Sequence, residues 1–262
     1  MEPSPIITIR NLKSHYQGKQ VLHDISFEVP SHQITVIMGM SGCGKTTLLR
    51  HLVALKGTDL DQIEIDGRDM GRFEEKELSA YRRRIGVLFQ SGALFNSLTV
   101  AENIAVPLKV HTALPDEIIR IMALIKLNMV GLVNVADQLP SQLSGGMRKR
   151  AGLARALAMD PEILFVDEPS AGLDPITAAA LDQLILDLKE TLGMTIIVVT
   201  HELRSAFDIA DQMVVMDAGR ILQAGRPEEI RNSGSERVQQ FLRREADQGS
   251  LKTEEYITQL MA

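Results

Sequence analysis

The chain contains the stretch Gly39-Met40-Ser41-Gly42-Cys43-Gly44-Lys45-Thr46-Thr47, whose spacing, G-x-x-x-x-G-K-T, is that of a phosphate-binding loop. Residues 33–38, just before it, are rich in β-branched side chains and predict a buried strand. After it, apolar residues recur at helical spacing, namely Leu48, Leu49, Leu52, Val53 and Leu55. The strand, glycine loop and helix that this motif requires therefore follow one another in the right order.

Each part of the loop has a physical role. Glycines let the backbone fold tightly and turn several N–H groups toward one point, and the following helix adds the partial positive charge of its N-terminus. Lys45 is expected to place its ammonium on the β- and γ-phosphates of a nucleotide, and Thr46 its hydroxyl on Mg²⁺. The alternative is a glycine turn with a chance lysine, which the spacing and context disfavour.

Composition limits the possible classes of protein. The chain has 262 residues, is 45% apolar and carries a net charge of −6, so we expect a large buried core and no nucleic-acid partner. One cysteine excludes an intrachain disulfide and fits a reducing compartment. The N-terminus has no signal-peptide pattern, and no run reaches the roughly 18 apolar residues that would span a bilayer.

Several predicted strands end on polar side chains. Gln90 follows residues 84–89, Asp167 and Glu168 follow residues 163–166, and His201 follows residues 196–200. The carboxyl ends of parallel strands deliver such side chains to a ligand. Asp167 is expected to hold Mg²⁺ and Glu168 to polarise an attacking water, and His201 can donate a hydrogen bond to the γ-phosphate. The alternatives are solvent-facing acids, a structural histidine and a structural glutamine.

Residues 91–158 have a helical pattern and predict an insertion between two halves of one sheet. Thr99 and Glu102 form a capping box, which marks a helix start. A second helix is predicted to begin around Pro115. Its apolar residues are interpreted as a packing face, formed by Ile118, Ile121, Met122 and Ile125.

The end of this insertion predicts a second anion site. Ser144 is a natural N-cap, and Gly145 and Gly146 would expose the first N–H groups of the next helix. A plain capped helix is the alternative, and the basic run 148–150 could be only a solvated face.

Three further residues are candidates on local grounds. Tyr16 lies between two predicted antiparallel strands and could stack on adenine or only line the solvent edge. Asp174 is predicted to cap a helix that has Pro175 at its first position. Cys43 lies near Lys45 and a helix start, both of which favour thiolate, so we expect a reactive thiol that ATP protects.

Together these motifs resemble those of the nucleotide-binding subunit of ABC transporters, over residues 6–235. The resemblance implies an α/β P-loop NTPase (RecA-like) core with an antiparallel β subdomain and an inserted α-helical subdomain. The implied ATPase domain covers residues 1–235, with its core in 1–90 and 159–235 and the helical subdomain in 91–158. Beyond the resemblance, residues 236–262 are predicted to form a charged helical tail with a small apolar stripe of Val238, Phe241 and Leu242, in which 253–260 could dock on a neighbour or fray.

The same resemblance assigns ligands residue by residue. It implies that Glu168, His201 and Gln90 are catalytic. It also implies that Mg²⁺ is bound by Thr46, Gln90 and Asp167. The residues implied to bind ATP are Tyr16, Gly39, Ser41, Gly42, Cys43, Gly44, Lys45, Thr46, Thr47, Ser144, Gly145, Gly146 and Asp174. Because the Ser144 end serves the partner's ATP in this family, the resemblance implies a homodimer with two ATP molecules sandwiched between the chains.

A narrower resemblance is to the Mla and Mce lipid-transport ATPases. Residues 89–103 carry it, as does 143–150, where Met147 replaces the usual glutamine. It implies ATP-driven phospholipid transport between two membranes, by a peripheral subunit on the cytoplasmic face of the inner membrane. The implied partners are permease subunits, an Mce-domain lipid-binding protein and a STAS-domain subunit.

Other functions stay open from the sequence. The chain could energise transport of another solute, such as an amino acid or a metal chelate. A soluble ABC regulator usually has two cassettes or long charged insertions, and neither is present. Glu168 and His201 disfavour a non-hydrolysing scaffold, and the lack of an Asn-Lys-x-Asp guanine reader disfavours a GTPase.

Overall fold

The computed structural model describes residues 4–245, so the predicted docking segment 253–260 lies outside the described residues. The strands are β1 Pro5–Tyr16, β2 Lys19–Pro30, β3 Ile34–Gly39, β4 Ile63–Ile65, β5 Arg68–Asp69, β6 Ile85–Leu88, β7 Ile163–Asp167, β8 Thr195–Thr200, β9 Gln212–Asp217 and β10 Arg220–Gly225. The α-helices are α1 Lys45–Leu52, α2 Glu75–Arg84, α3 Val100–His111, α4 Asp116–Met129, α5 Gly145–Ala156, α6 Pro175–Leu192, α7 Leu203–Ile209, α8 Pro227–Arg231 and α9 Glu236–Arg243.

The larger sheet has the strand order β10-β9-β3-β8-β7-β6 and is parallel except for β10, which pairs antiparallel with β9. Its central strands are apolar without alternation because both faces are covered. Val36 and Val198 contribute to one hydrophobic cluster, and their neighbours Ile37 and Ile197 to the other. The parallel strands therefore all end at one edge, as the sequence predicts.

The smaller sheet has the order β2-β1-β4-β5 and its strands are antiparallel. Alternate residues of β1 and β2 enter the same hydrophobic cluster as α1, and Leu22 and Leu48 are both fully buried there. This packing fixes α1, which follows the phosphate-binding loop. The helix is shorter than predicted, because it ends at Leu52 and leaves Leu55 exposed.

Helices α3, α4 and α5 lie between β6 and β7 in the chain and pack on one another. The capping box at Thr99 and the N-caps at Ser144 and Asp174 are confirmed. The predicted packing face of α4 is wrong. Its buried residues are Ile119, Ala123, Lys126 and Leu127, whereas Ile118, Ile121 and Ile125 are exposed and Met122 is half-buried.

The C-terminal part of the described chain returns to the core. Val238 on α9 is fully buried, and Phe241 and Leu242 pack beside it, which confirms the predicted apolar stripe. Arg237 pairs with Asp217 at 2.7 Å and so fastens α9 to the end of β9. No helix within 4–245 combines the length and the apolar character needed to cross a membrane.

Candidate functional site

A cleft of about 830 Å³ lies at the carboxyl edge of the parallel strands. Its walls come from the loop after β3, the segment after β6, the ends of β7 and β8, and the end of α9. The predicted site residues that line it are Ser41, Gly42, Gly44, Lys45, Thr46, Thr47, Gln90, Asp167, Glu168 and His201. Side chains separated by more than a hundred residues in sequence thus meet in one place.

Two glycines of the loop are required by close contacts. A Cβ atom on Gly39 would lie 2.2 Å from the main-chain oxygen of Met216 on the adjacent strand β9. Gly44 is the N-cap of α1 with a φ of 104°, and a Cβ there would lie 2.7 Å from Leu22. Both positions therefore need glycine for the loop to lead into the N-terminus of α1 without a steric clash.

Lys45 is held by the loop itself. Its Nζ donates to the main-chain oxygens of Gly39 at 2.7 Å and Met40 at 3.0 Å, and the residue is only 8% exposed. Both partners are main-chain carbonyl oxygens, which carry no formal charge. An anion bound there would gain a charge-assisted contact without displacing a carboxylate.

The acids at the end of β7 differ in their surroundings. Burial raises the pKa of Asp167, the neighbouring Glu168 carboxylate raises it further, and Lys45 and Lys149 oppose the shift. The Glu168 carboxylate accepts from Thr200 Oγ1 at 3.1 Å and lies 2.8 Å from His201 Nδ1. Two carboxyl groups, one imidazole and the Lys45 ammonium therefore share this part of the cleft.

The second predicted anion site does not join this cleft. Ser144, Gly145, Gly146 and Asp174 are not among its lining residues, and Ser144 and Asp174 are exposed. The Ser144 hydroxyl accepts from the Met147 main-chain N–H at 3.2 Å and so caps α5. A single copy of the chain thus presents this helix start away from its own phosphate-binding loop.

Tyr16, Gly39 and Cys43 also lie outside the lining of the cleft. Tyr16 ends β1 and is 59% exposed, which leaves its ring free to stack on a base. Cys43 packs in the hydrophobic cluster and is 4% exposed, and burial raises its pKa more than Lys45 lowers it. The predicted reactive thiolate is therefore wrong, because desolvation outweighs the lysine and the helix start.

Several residues of the site escape the motif analysis. Glu202, Gln240, Phe241 and Arg244 line the cleft, three of them from the end of α9. The end of α9 reaches the cleft because α9 packs on the core. The apolar stripe predicts that α9 packs, but not that its end lines the cleft. The basic run 148–150 is compatible with a solvated face, yet Lys149 is buried. Its position four residues before the buried Leu153 is the signal that places it on the inner face of α5.

Comparisons with known proteins agree with this geometry. The sequence profile of the ABC transporter family matches residues 22–171. The intermembrane phospholipid transport system ATP-binding protein MlaF of Haemophilus influenzae is 41% identical over 92% of this chain and 92% of its own length. The probable ribonucleotide transport ATP-binding protein mkl of Mycobacterium leprae is 39% identical over 90% of this chain and 68% of its own.

Among solved structures, the ATP-binding cassette MJ0796, in a dimeric post-hydrolysis state bound to ADP and Pi, superposes with a TM-score of 0.77 at 30% identity. The match covers 84% of this chain and 98% of that cassette. The sheet order, the inserted helices and the nucleotide cleft are thus those of an ATP-binding cassette. The chain belongs to the ABC transporter family, as one of its nucleotide-binding ATPase subunits.

Proposed function

We propose that this chain powers phospholipid transport between the inner and outer membranes by hydrolysing ATP on the cytoplasmic face of the inner membrane. The observation that carries this proposal is the 41% identity to an intermembrane phospholipid transport subunit over nearly the full length of both chains. The described residues supply the nucleotide cleft that such a subunit needs.

In the proposed mechanism, the triphosphate of ATP enters the loop 39–47. The Lys45 ammonium leaves the carbonyls of Gly39 and Met40 for the β- and γ-phosphates, and the loop N–H groups surround the same oxygens. Tyr16 stacks on the adenine. Glu168 accepts a proton from the attacking water, while His201 and Gln90 contact the γ-phosphate side of the cleft.

Mg²⁺ fits the donor set of the cleft. Within residues 4–245 no group of three or more His, Cys, Asp or Glu side chains could hold a metal by itself. Mg²⁺ commonly takes one or two protein oxygens and completes its shell with phosphates and water, and it neutralises charge on the phosphates when bound. Thr46, Gln90 and Asp167 would hold it here, since all three line the cleft.

The working unit is a homodimer that shares two ATP molecules. Ser144, Gly145 and Gly146 offer the N–H groups of α5 at an exposed helix start outside the chain's own cleft. Asp174 begins α6 beside them, since a Cβ on Gly146 would lie 2.5 Å from Thr177 Cγ2 of that helix. A second copy placed head to tail would bring this surface onto the triphosphate.

Exposed apolar side chains support membrane-protein partners. Phe89 and Phe95, on either side of Gln90, are 37% and 52% exposed, which offers a permease a contact beside the nucleotide cleft. The exposed face of α4, formed by Ile118, Ile121 and Ile125, offers a second protein surface. We assign the remaining subunits, an Mce-domain lipid-binding protein and a STAS-domain subunit, to the same complex.

The hydrolytic part of the proposal is tested by Glu168→Gln, which keeps the shape of the side chain but removes its basicity. Turnover is expected to fall by about 100-fold or more while ATP affinity stays within about two-fold of wild type. Steady-state ATPase assays and a nucleotide titration measure the two quantities. Near-normal turnover in the variant would reject Glu168 as the base.

The transport part is tested by purifying the tagged chain in detergent from its native membrane. We expect a permease, an Mce-domain protein and phospholipid to co-purify with the wild-type chain. The amounts of all three are expected to fall when the tagged chain carries Phe95→Asp. The relative named for ribonucleotide transport supports a second candidate, transport of another solute. Recovery of a soluble-solute receptor, with phospholipid no higher than in an untagged strain, would favour that candidate and contradict ours.

A further inference from the structure

Lys149 is a buried lysine that the proposed mechanism does not use. It lies on α5 and is 6% exposed, and it does not line the nucleotide cleft. Its Nζ donates to the main-chain oxygen of Glu168 at 2.7 Å. The ammonium therefore contacts the backbone of the proposed base rather than its carboxylate.

The backbone that Lys149 contacts is strained. Glu168 has a φ of 48°, in the left-handed region that non-glycine residues rarely adopt. Such a conformation persists only when neighbouring contacts hold it. On its other side, the Glu168 N–H donates to the main-chain oxygen of Val199 at 2.8 Å. Lys149 thus holds the carbonyl of Glu168 and Val199 its amide, and the Ala171 N–H donates a longer bond of 3.3 Å to the same carbonyl.

The charge of Lys149 also suits this position. Asp167 and Glu168 are adjacent acidic side chains that both line the cleft, and two like charges placed side by side repel each other. A cation behind them, on the side of α5, offsets that repulsion without blocking the cleft. Lys45 provides the corresponding charge from the phosphate-binding loop.

We infer that Lys149 is a positioning residue for ATP hydrolysis, because it fixes the left-handed backbone from which the Glu168 carboxylate reaches the attacking water. The inference rests on the proposed role of Glu168 as base. Lys149 acts through Glu168 and does not contact the nucleotide, so it contributes to turnover and not to ATP binding.

The test compares Lys149→Met with Lys149→Arg in the full chain, by steady-state ATPase kinetics and ATP titration. Lys149→Met removes the charge and the donor at similar length, and kcat is expected to fall about 10- to 100-fold with KM for ATP within about two-fold. Lys149→Arg keeps both and is expected to recover most of the turnover. Should Lys149→Met fail to fold, Lys149→Leu, which likewise lacks the charge and the donor, is expected to lower kcat in the same way.

Lys126→Met is the matched control, because Lys126 is another lysine of 6% exposure in the inserted helices, paired with Asp160, and neither residue lines the cleft. This variant is expected to have a lower free energy of unfolding, measured in urea, but a kcat within about two-fold of wild type. Equal losses of kcat in Lys126→Met and Lys149→Met, or a raised KM with unchanged kcat in Lys149→Met, would overturn the inference.

A double variant separates this inference from the proposed base. If Lys149 acts through Glu168, adding Lys149→Met to Glu168→Gln is expected to change the residual turnover by less than about two-fold. If the losses of turnover in the two single variants multiplied in the double variant, Lys149 would act independently of Glu168, and the positioning role would be overturned. Near-normal turnover in Glu168→Gln alone would instead reject the base itself, together with the role of Lys149.

Discussion

Buried His51 on α1 makes the stability of this chain sensitive to acid. Its Nε2 lies 2.9 Å from Ser14 Oγ, and burial together with the nearby Lys56 lowers its pKa to about 4. Well above pH 6.5 the imidazole is neutral in both states, so it has no effect on how the free energy of unfolding changes with pH. Between pH 6.5 and 4 only the unfolded chain takes up this proton, so that free energy falls, by about 3 kcal/mol in total.

Replacement of His51 by Gln is expected to remove this acid sensitivity while keeping a polar group beside Ser14. Urea unfolding at pH 7.0, 5.5 and 4.5 measures the slope of stability against pH. Exposed His111→Gln is the control and is expected to keep the wild-type slope. An unchanged slope in His51→Gln would contradict the assignment.

Tyr16 is expected to contribute to ATP affinity through its ring alone. Tyr16→Ala would weaken ATP binding about 5- to 150-fold, since base stacking on an aromatic ring is worth about 1–3 kcal/mol. Tyr16→Phe would stay within about two-fold of wild type. Inorganic tripolyphosphate serves as the control ligand, because it has no base. A titration in which Tyr16→Ala binds ATP like wild type would remove Tyr16 from the site.

At the scale of single residues, the sequence shows which side chains can carry a charge, but it does not show whether a given side chain is buried. Cys43 was predicted to be a thiolate from its neighbours in the chain, and burial in the hydrophobic cluster decides against it. Lys149 lies in a basic run that could have been a solvated face, yet it is buried against Glu168. In both cases the deciding contacts come from elements remote in sequence.

Among the elements, α5 connects three parts of the site. It is capped by Ser144, contacts Glu168 through Lys149, and reaches the segment after β6 through Arg155. Arg155 donates from Nη1 to the Ala93 oxygen at 2.8 Å and from Nη2 to the Gly92 oxygen at 3.1 Å. A shift of the segment beside Gln90 would therefore be transmitted to α5.

Close packing of α5 on this segment predicts the effect of Gly152→Ala. A Cβ at Gly152 would lie 2.9 Å from the Gly92 oxygen and 3.0 Å from Leu88 Cδ1. Because backbone must move to admit it, the variant is expected to lose about 1–3 kcal/mol of stability in urea unfolding. Gly57→Ala, where a new Cβ meets nothing within 4 Å, is the control and should be nearly neutral. Equal stabilities would contradict the packing.

The helices also show where periodicity is insufficient. Helix α4 has apolar residues on more than one side, so its spacing alone did not identify the buried face. The face that packs has Ile119, Ala123 and Leu127 at intervals of four, and all three are buried in the hydrophobic cluster. By contrast, the helix starts at Thr99, Ser144 and Asp174 were predicted correctly, because capping depends on residues next to each other in the chain.

On the scale of the whole molecule, the parallel sheet brings Lys45, Gln90, Asp167, Glu168 and His201 into one cleft. The motifs and their order predict this gathering, since parallel strands deliver their carboxyl ends to one edge. The Ser144 helix start stays outside the same cleft. The central claim is therefore that each ATP is enclosed by Lys45 of one copy and Ser144 of the other.

A mixed dimer of Lys45→Ala and Ser144→Arg chains tests that claim most directly. Each variant alone has both shared sites damaged and is expected to lack ATPase activity. In the mixed dimer both defects fall on one site, while the other combines an intact Lys45 with an intact Ser144. We predict that mixing restores ATP-dependent dimerisation and measurable hydrolysis. A mixture as inactive as either variant alone would show that the sites are not shared between copies.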